Sequence, residues 1–485
     1  MKIHKTFSFL FILFLFVFIT RLMFTLPLVN YSSDEAYFHL RSIMHIVHEK
    51  TLLTQDPLSY GGRPILYSPL YHILMAFLTF GSPLLLKILP ELFSSSIVFI
   101  AYLLCKEITD HDFLAFAGAA FAALIPMYWW ETLNVLSIYS LLVPLLFSVL
   151  YAFIKIDQKK YALLFLVSIL FLTFLHPSVF LLLVTFLVYF FLLAGGALTP
   201  SQLEKEAVLA SFLSIILIHL LYYARAFSQY GFSVIWQNIP AIILADSFRA
   251  LQPIELILAI GILPLLLGFI ALYFGITKEK KKSVYILSAF MLANLLLIAL
   301  RLITLSIGLM FLGISLAILS PLTLYQLWLY LEKTRFSFLA RTYIPLLAIL
   351  IFFFSVLPTL NQTKNLQSVD PSTIIDLTWA RTTLPQNATI LGNVQEGHLI
   401  TAIAERANVI DSNFLLAPDP LERLKDVDDL YHIVSSAKAN QLLKKYHVTA
   451  IYFSPATERL YSVHDLKYTN DACFQRDGRF YLITC

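Results

Sequence analysis

Charged residues are scarce in this sequence of 485 residues: Asp, Glu, Lys and Arg together make up 13%, about half the fraction of a typical soluble domain. Hydrophobic residues make up 59%, and the mean hydropathy is +0.78. A water-soluble protein could not bury so much apolar surface, so lipid must be the main solvent of this chain. The apolar runs recur at lengths of about 20 residues without strand-like alternation, which predicts membrane-spanning helices.

Several nucleotide- and metal-binding signatures are also missing. The sequence has no P-loop, no G-x-G-x-x-G and no H-E-x-x-H motif, which argues against an ATP-driven enzyme or one that uses nucleotide sugars. Basic residues form no stripe outside the predicted cytoplasmic loops, so nucleic-acid binding has no support. Only three cysteines are present, without zinc-type spacing. Cys473 and Cys485 follow the last apolar run, where an oxidising exterior would permit a disulfide; two free thiols are the alternative.

Eleven apolar segments predict a polytopic α-helical membrane protein with about eleven transmembrane helices. The first segment follows a basic start, is longer than a signal-peptide core and is not followed by an A-x-A-like site, so we interpret it as a retained helix. The predicted spans are 7–29, 83–105, 113–128, 134–155, 161–175, 177–195, 207–224, 253–276, 283–300, 302–330 and 342–358.

Lysine and arginine are unevenly distributed among the connections. Placing the N-terminus in the cytoplasm puts the lysine-rich connections there, including the run 278–282. The loops 30–82 and 225–252 and the segment from about 360 onward then lie outside. We therefore predict a transmembrane domain over 1–359, with the external loop 30–82, and a soluble external domain over 360–485. Its β-like runs (388–391, 448–453, 480–483) alternate with helical stretches, which indicates an α/β domain.

The predicted orientation can be tested by labelling. Cysteines introduced near residue 280 should react with a membrane-impermeant reagent only after permeabilisation, whereas those in 361–485 should react on intact cells. Labelling of the 361–485 segment only from the cytoplasmic side would contradict this orientation.

The first external loop opens with a helix signal. Ser32 and Glu35 stand in capping-box spacing, which predicts a helix that runs to about Glu49. This pattern favours a helix lying flat on the membrane surface, with its apolar side towards the lipid. The apolar stripe consists of Ala36, Leu40, Ile43 and Val47.

Two adjacent carboxylates, Asp34 and Glu35, stand at the start of this helix, with His39 and Arg41 on the next turn. One interpretation is structural, because acidic residues are favourable at a helix N-terminus. The other is functional, since a carboxylate in partly dehydrated surroundings can act as a general base and two carboxylates can hold a divalent cation.

This loop resembles the GT-C superfamily of polytopic membrane glycosyltransferases. The resemblance rests on the Asp-Glu pair, the following Tyr-Phe-His-x-Arg (37–41) and a proline-rich stretch (56–70). It is most similar to catalytic subunits of oligosaccharyltransferases and to protein mannosyltransferases. The resemblance implies transfer of a sugar or glycan from a polyprenyl-phosphate-linked donor to an external protein, glycan or lipid acceptor. Asp34 would be the catalytic or metal-binding acid, with Glu35 beside it.

The resemblance also implies an arginine near the donor phosphate, which maps to Arg301. Arginine after an apolar run is costly unless it pairs or reaches the interface, and it can bind a phosphate in bidentate fashion. Arg41 and His39 are further candidate substrate contacts. His176, which precedes a proline, either reaches the site or is an interfacial histidine at a helix junction. A plain interfacial anchor is the alternative for Arg301.

A metal site is left open, since some GT-C enzymes need Mg²⁺ or Mn²⁺ and others do not. Asp34 would be one ligand. Glu131 is a second candidate, although the usual Asp-x-Glu spacing is absent and an incidental interfacial acid is the alternative. The turn 392–398 stands where oligosaccharyltransferases carry a tryptophan-rich acceptor motif, which is missing here; this argues against asparagine-sequon transfer.

The competing function is a non-catalytic membrane transporter or scaffold with an extracellular domain. Transporters tend to carry polar groups at mid-membrane. In this sequence the predicted spans are nearly free of charge and the ionisable residues cluster at the external ends, which favours interfacial chemistry.

Overall fold

The computed structural model describes residues 2–237, 240, 243, 252–334, 343, 346–347, 349–364, 368–469 and 473–484. Cys473 is disulfide-bonded and Cys105 is a free, buried thiol. Cys485, the second residue of the predicted pair, lies outside the described residues.

Helices dominate the first part of the chain. The α-helices are, in order, α1 Lys2–Thr25, α2 Asp34–Glu49, α3 Leu70–Thr79, α4 Pro83–Ser95, α5 Ile97–Thr109, α6 Asp112–Ala123, α7 Pro126–Thr132, α8 Tyr139–Ile154, α9 Lys159–Leu175, α10 Phe180–Gly195, α11 Gln202–Tyr222, α12 Ala224–Tyr230, α13 Val234–Gln237, α14 Pro253–Ile260, α15 Ile262–Phe274, α16 Lys282–Ala299, α17 Leu305–Lys333, α18 Leu357–Lys364, α19 Pro371–Thr383, α20 Gly397–Leu399, α21 Pro420–His432, α22 Ser436–Lys445 and α23 Pro455–Tyr461. Short 3₁₀ turns cover Ser59–Gly61, Pro177–Val179 and Gly231–Ser233, and π-type turns cover Gly275–Glu279, Phe352–Val356 and Ile400–Ala404.

Seven of the described helical segments are long and apolar enough to cross a membrane, and an eighth results if one bent pair counts as a single span. The seven are Thr6–Thr25, Pro83–Thr109, Pro177–Gly195, Gln202–Tyr222, Ile262–Glu279, Lys282–Ala299 and Leu305–Lys333. The chain is thus a multi-pass helical protein, as the hydropathy predicts.

The predicted number of eleven spans is not confirmed. The segment 113–128 is broken, because Asp112–Ala123 and Pro126–Thr132 meet at an angle of 48°; residue 125 is extended, as residues before proline prefer. The predicted spans 134–155 and 161–175 form α8 and α9, of 16 and 17 residues, which are short for the hydrocarbon core. Much of 342–358 lies outside the described residues.

The structure divides into two compact units. The helical unit comprises Met1–Pro27, Ser82–Ala224 and Ile243–Leu366, and the mixed unit comprises Leu28–Gly81, Arg225–Ile242 and Gln367–Cys485. The loop that follows the first span is therefore grouped with the C-terminal part of the chain, more than 280 residues away in sequence.

A five-stranded sheet forms the core of the mixed unit. Its strands are β3 Thr389–Leu391, β4 Ala407–Asn408, β5 Ala450–Tyr452, β6 Phe474–Asp477 and β7 Phe480–Ile483, in the spatial order β4-β3-β5-β7-β6. The strands β4, β3 and β5 are parallel, and the β6–β7 hairpin adds two antiparallel strands. The three predicted β-like runs all form strands. A separate two-stranded hairpin, β1 Gln55–Asp56 and β2 Arg63–Pro64, lies in the loop.

The centre of the helical unit is α17, in which 19 of the first 20 residues are buried. Small residues let neighbouring helices approach it closely. A Cβ atom at Gly118 of α6 would lie 2.5 Å from both Cys105 Sγ and Pro321 Cγ. A Cβ atom at Gly268 would lie 2.7 Å from Leu316.

A buried ion pair lies within the apolar spans, which corrects the expectation that the spans are nearly free of charge. Arg21 Nε of α1 donates to Glu91 Oε2 of α4 at 2.7 Å, and both side chains are almost fully buried. Arg21 Nη2 also donates to Thr132 Oγ1 at 2.8 Å, and Glu91 Oε1 accepts from Thr25 Oγ1 and from the Asn134 amide. The guanidinium also lies over the ring of Trp129, at 5.0 Å. The pair joins α1, α4 and α7.

Breaking this pair should destabilise the protein strongly. Glu91→Gln leaves a buried guanidinium without its counter-charge, which typically costs about 3–5 kcal/mol. Glu107→Gln is the matched control, because Glu107 pairs with Lys155 at a partly exposed position, where loss should cost about 1 kcal/mol or less. Thermal unfolding of the detergent-solubilised protein measures both. Equal shifts in melting temperature would contradict a structural role for the Arg21–Glu91 pair.

Candidate active site

The predicted helix of the loop forms as α2, one residue later than its expected cap. The cap is Ser33, whose backbone is extended and whose hydroxyl accepts from the Ala36 amide at 3.3 Å, so Ser32 is not the capping residue. The helix ends at Glu49 as predicted. Ala36 and Ile43 of the apolar stripe are fully buried in the protein, which corrects the expectation that this side lies against lipid.

Asp34 is the first residue of α2 and is held by the C-terminal part of the chain. Its carboxylate oxygens accept from the backbone amides of Leu399, at 2.8 Å, and His398, at 3.3 Å. Burial raises the pKa of Asp34 well above its ordinary value, and the nearby carboxylates of Asp411 and Glu396 raise it further, although the two amides act in the opposite direction. Asp34 is therefore oriented by two donors and binds a proton more readily than an ordinary aspartate.

The turn that carries these amides is tightly fixed. A Cβ atom at Gly397 would overlap the Ile410 carbonyl oxygen and the Asp411 side chain, so only glycine fits there. The Gly397 carbonyl accepts from Asn408 Nδ2 at 2.8 Å. This part of the predicted binding turn 392–398 thus receives the Asp34 carboxylate of the same chain.

Glu396, one residue earlier, is a buried carboxyl in a polar pocket. Its Oε2 atom accepts from Asn393 Nδ2 at 2.5 Å, from Ser454 Oγ at 2.9 Å and from Thr457 Oγ1 at 3.2 Å. Burial nevertheless raises the pKa of Glu396 to about 7. The mixed unit therefore holds two acids, Asp34 and Glu396, with raised proton affinity within a few residues of the same turn.

A buried network around Asp411 attaches the loop to the C-terminal segment. Asp411 accepts from Ser59 Oγ at 2.7 Å, from Asn408 Nδ2 at 3.1 Å and from Arg63 Nη2 at 3.4 Å. Arg63 also donates to the carbonyls of Leu415 and Asn413. His398 Nε2 lies 4.0 Å from Asp411 Oδ1. The guanidinium of Arg63 holds the pKa of Asp411 down together with His398, against the effect of burial.

Two predicted substrate contacts of α2 have partners within the loop. Arg41 makes a bidentate pair with Asp56, at 2.7 and 2.6 Å. His39 is buried, and its Nδ1 lies 2.8 Å from Nε2 of the buried His72. His39 Nε2 lies 3.7 Å from Glu35 Oε1, and the Glu35 side chain is 68% exposed.

The remaining predicted residues belong to the helical unit. Glu131 lies in α7 and is half-buried. His176 caps the 3₁₀ turn Pro177–Val179, where its Nδ1 accepts from the Ser178 amide at 3.1 Å. Arg301 is exposed in the connection between α16 and α17, with a left-handed backbone (φ 55°).

The described residues provide no complete ligand set for a metal ion: none of them form a group of three or more His, Cys, Asp or Glu side chains arranged to hold one. Asp34, the predicted ligand, has each oxygen engaged by a backbone amide.

Comparisons with known proteins give matches at the level of structure. No family model and no curated protein matches the sequence. Among solved structures, an oligosaccharyltransferase of Archaeoglobus fulgidus tethered to an acceptor peptide aligns with a TM-score of 0.69 and 13% identity, covering 91% of this chain and 68% of that one. ArnT of Cupriavidus metallidurans bound to undecaprenyl phosphate aligns with a TM-score of 0.57 and 10% identity, covering 98% and 97%.

The chain has the GT-C fold. The archaeal oligosaccharyltransferase was also solved with zinc and sulfate, at a TM-score of 0.66 and 13% identity over 90% of this chain and 67% of that one. Both neighbours are GT-C proteins of the kind that the loop sequence resembles, so the fold predicted from that resemblance is confirmed.

The raised pKa of Glu396 predicts a pH-dependent stability. Because the folded protein binds this proton more tightly than an ordinary glutamate of pKa 4.5, the stabilisation is complete below about pH 4.5 and is lost as the pH rises through 7. Its upper limit is roughly 3 kcal/mol, since a tenfold change in proton affinity is worth about 1.4 kcal/mol.

Thermal unfolding between pH 4.5 and 8 measures this effect. Glu396→Gln should flatten the dependence, whereas Glu405→Gln, at an exposed position paired with Arg381, should preserve it. An identical pH dependence in wild type and Glu396→Gln would contradict the assignment.

Proposed function

We propose that this protein is a glycosyltransferase that moves a sugar or glycan from a polyprenyl-phosphate-linked donor to an acceptor at the outer membrane face. The observation that carries the proposal is the GT-C fold together with the acid pair Asp34–Glu35 at the first turn of α2. The loop sequence resembles the family at this same place. Neighbouring structures hold dolichol-phosphate or undecaprenyl phosphate, which supports a lipid-linked donor.

Asp34 is proposed as the general base. A general base must be able to take up a proton, and burial raises the pKa of this carboxyl, which strengthens it as a proton acceptor relative to an ordinary aspartate. The proton of an acceptor hydroxyl or amine would pass to Asp34 while the acceptor atom bonds to the anomeric carbon. The bond from that carbon to the phosphate oxygen breaks, and its electron pair leaves with the phosphate.

Arg301 is proposed to bind the donor phosphate, whose negative charge grows as the bond to the sugar breaks. A planar guanidinium can bind phosphate oxygens in bidentate fashion, and this side chain is exposed in the connection after α16. Arg41 is bonded to Asp56 through both terminal nitrogens, so its proposed role is to position the loop. His176 and Glu131 are secondary candidates for substrate contacts.

The outer-face orientation follows from the lysine- and arginine-rich connections and is part of the proposal. Analysis of the reaction product identifies the acceptor class (protein, glycan or lipid) and the size of the transferred group. Missing oligosaccharyltransferase motifs in the sequence favour an acceptor other than an asparagine sequon.

A non-catalytic transporter or scaffold is the alternative function. Carboxyls with raised pKa that lie beside buried histidines lower stability, and proteins keep such groups mainly at functional sites. The cluster of Asp34, Glu396 and His398 is of this kind, which favours an enzyme.

Asp34→Asn tests the catalytic role. Asparagine caps helices as well as aspartate does, but its amide places a donor against a backbone N–H, at a structural cost of about 1–3 kcal/mol. Loss of a general base should lower the transfer rate by roughly 10²–10⁴. The assay uses membrane vesicles, radiolabelled polyprenyl-phosphate sugars and mass spectrometry of the products, with and without EDTA or added Mg²⁺ or Mn²⁺.

Asp370→Asn is the matched control, because Asp370 caps α19 by accepting from the Ser372 amide at 3.0 Å. It should lose a small amount of stability and keep the full rate. A near-normal rate in a folded Asp34→Asn protein would mean that Asp34 is not the catalytic acid.

A further inference from the structure

A buried asparagine joins the two helices that flank Arg301. Asn294 of α16 is fully buried, and its Nδ2 donates to the Gly308 carbonyl, in the first turn of α17, at 2.7 Å. A polar side chain within an apolar span is costly unless it is hydrogen-bonded, and such bonds link neighbouring helices in membranes. This bond therefore fixes the last part of α16 relative to the start of α17.

The two helices also approach each other closely at this bond. A Cβ atom at Gly308 would lie 2.4 Å from Ile298 Cγ1 and 3.3 Å from Ile303 Cδ1, so a side chain at position 308 would overlap Ile298 and crowd Ile303. Close approach through a glycine is typical of helix pairs in membranes. The Asn294 amide and the Gly308 carbonyl thus meet in a tightly packed contact, where a shift of one helix is transmitted to the other.

The connection between these helices, residues 300–304, begins with a strained residue. The amide of Arg301 donates to the Ile298 carbonyl at 2.9 Å, and that of Leu302 donates to the Leu297 carbonyl at 3.0 Å. This is the Schellman arrangement of a helix C-terminus, in which glycine is favoured at the left-handed position. Here Arg301 occupies that position, with φ 55°. A left-handed residue other than glycine is strained, so the surrounding structure must hold it there.

Few side chains hold this connection in place. Thr304 precedes the first residue of α17, and in the part of the chain that the structure describes it makes no side-chain capping bond to that helix. The described residues of α16 and α17 share a single side-chain hydrogen bond, the one from Asn294 to Gly308. The Arg301 side chain is exposed. The place of the Arg301 backbone therefore depends on the packing around Gly308 and on the Asn294 bond.

We propose that Asn294 is a positioning residue of the donor site, which holds the connection 300–304 so that Arg301 can bind the donor phosphate. The inference rests on the proposed function, which gives Arg301 its role. Asn294 is fully buried, so it acts through the backbone of the connection and does not touch the substrate.

The geometry of phosphate binding explains why such positioning matters. A guanidinium binds a phosphate through two parallel hydrogen bonds, which require a defined orientation of its plane. Without the Asn294 bond, the start of α17 can shift relative to α16 and the strained turn at Arg301 can relax. The guanidinium then loses its defined direction, and one of the two hydrogen bonds to the phosphate is lost.

Hydrogen–deuterium exchange of the full-length protein in detergent tests the holding role without any activity. Asn294→Leu keeps a similar volume and removes the donor, so it should speed the exchange of the Arg301 and Leu302 amides. Ser288→Ala, at another fully buried position of α16, is the matched control and should leave the exchange of these amides unchanged. Asn294→Ala takes the place of the leucine variant if the latter does not fold. Unchanged exchange at Arg301 and Leu302 would overturn the proposal.

Donor kinetics test whether this holding role serves the phosphate contact. Asn294→Leu should raise the KM for the polyprenyl-phosphate-linked donor on the order of tenfold, because a small displacement of a binding group is costly, and should leave the acceptor KM unchanged. In an Arg301→Gln background the same change should have no further effect on the donor KM, because the two residues act as one unit. An equal rise in both backgrounds would overturn the positioning role, since a purely structural defect does not depend on Arg301.

The two measurements separate this inference from the proposed function. Faster exchange in Asn294→Leu, together with a wild type that uses no lipid-linked donor, would confirm that Asn294 holds the connection and would overturn the proposed function. Normal exchange and a normal donor KM in Asn294→Leu, with an active wild type, would overturn the inference and leave the proposed function standing.

Discussion

The mixed unit depends on the buried carboxylate of Asp411. This single side chain accepts hydrogen bonds from Ser59 and Arg63 of the loop and from Asn408 of the segment just before it. An isolated buried carboxylate would cost several kcal/mol, so each of these donors is needed. Gly397 packs directly against the backbone of Ile410 and Asp411, and a side chain at position 397 would overlap both residues. The amides that follow Gly397 then hold Asp34. The proposed base is thus held by a turn that packs directly against the backbone of Asp411.

The sequence predicts those features that have a local cause. The helix α2 is predicted to its last residue because a cap and an apolar period mark it, and the runs 388–391, 448–453 and 480–483 form strands because β-branched and aromatic residues cluster there. The apolar stripe of α2 is predicted, but its partner is not: periodicity identifies a face without distinguishing lipid from protein. The span count differs for a similar reason, since hydropathy does not register the break before Pro126.

Pairs of polar residues that lie far apart in the sequence cannot be predicted from local sequence patterns. Arg21 and Glu91 lie inside apolar segments, and their mere presence there is the signal that a partner exists, although the partner cannot be named without the fold. His72 and Glu396 likewise look unremarkable in sequence, because a histidine in an aromatic run and a glutamate in a turn are common. Their environments, not their neighbours in the chain, give them unusual proton affinities. The sequence therefore singles out Asp34 and Glu35, whose role in a site stays a prediction, but not the residues that lie around them in the folded protein.

The grouping of the loop with the C-terminal segment has a consequence for biosynthesis. Ser59 and Asp411 are separated by 352 residues, and Asp34 and Leu399 by 365. A ribosome adds about 5–20 residues per second, so the loop emerges roughly 20 seconds or more before its partners exist. During that interval Asp34 lacks the two amides that hold it, and Arg63 lacks its acceptors in the C-terminal segment. The proposed active site is thus completed last, and a chain that stops before His398 lacks the amides that hold Asp34. Premature termination before that point therefore yields a chain in which the proposed base is not held in place.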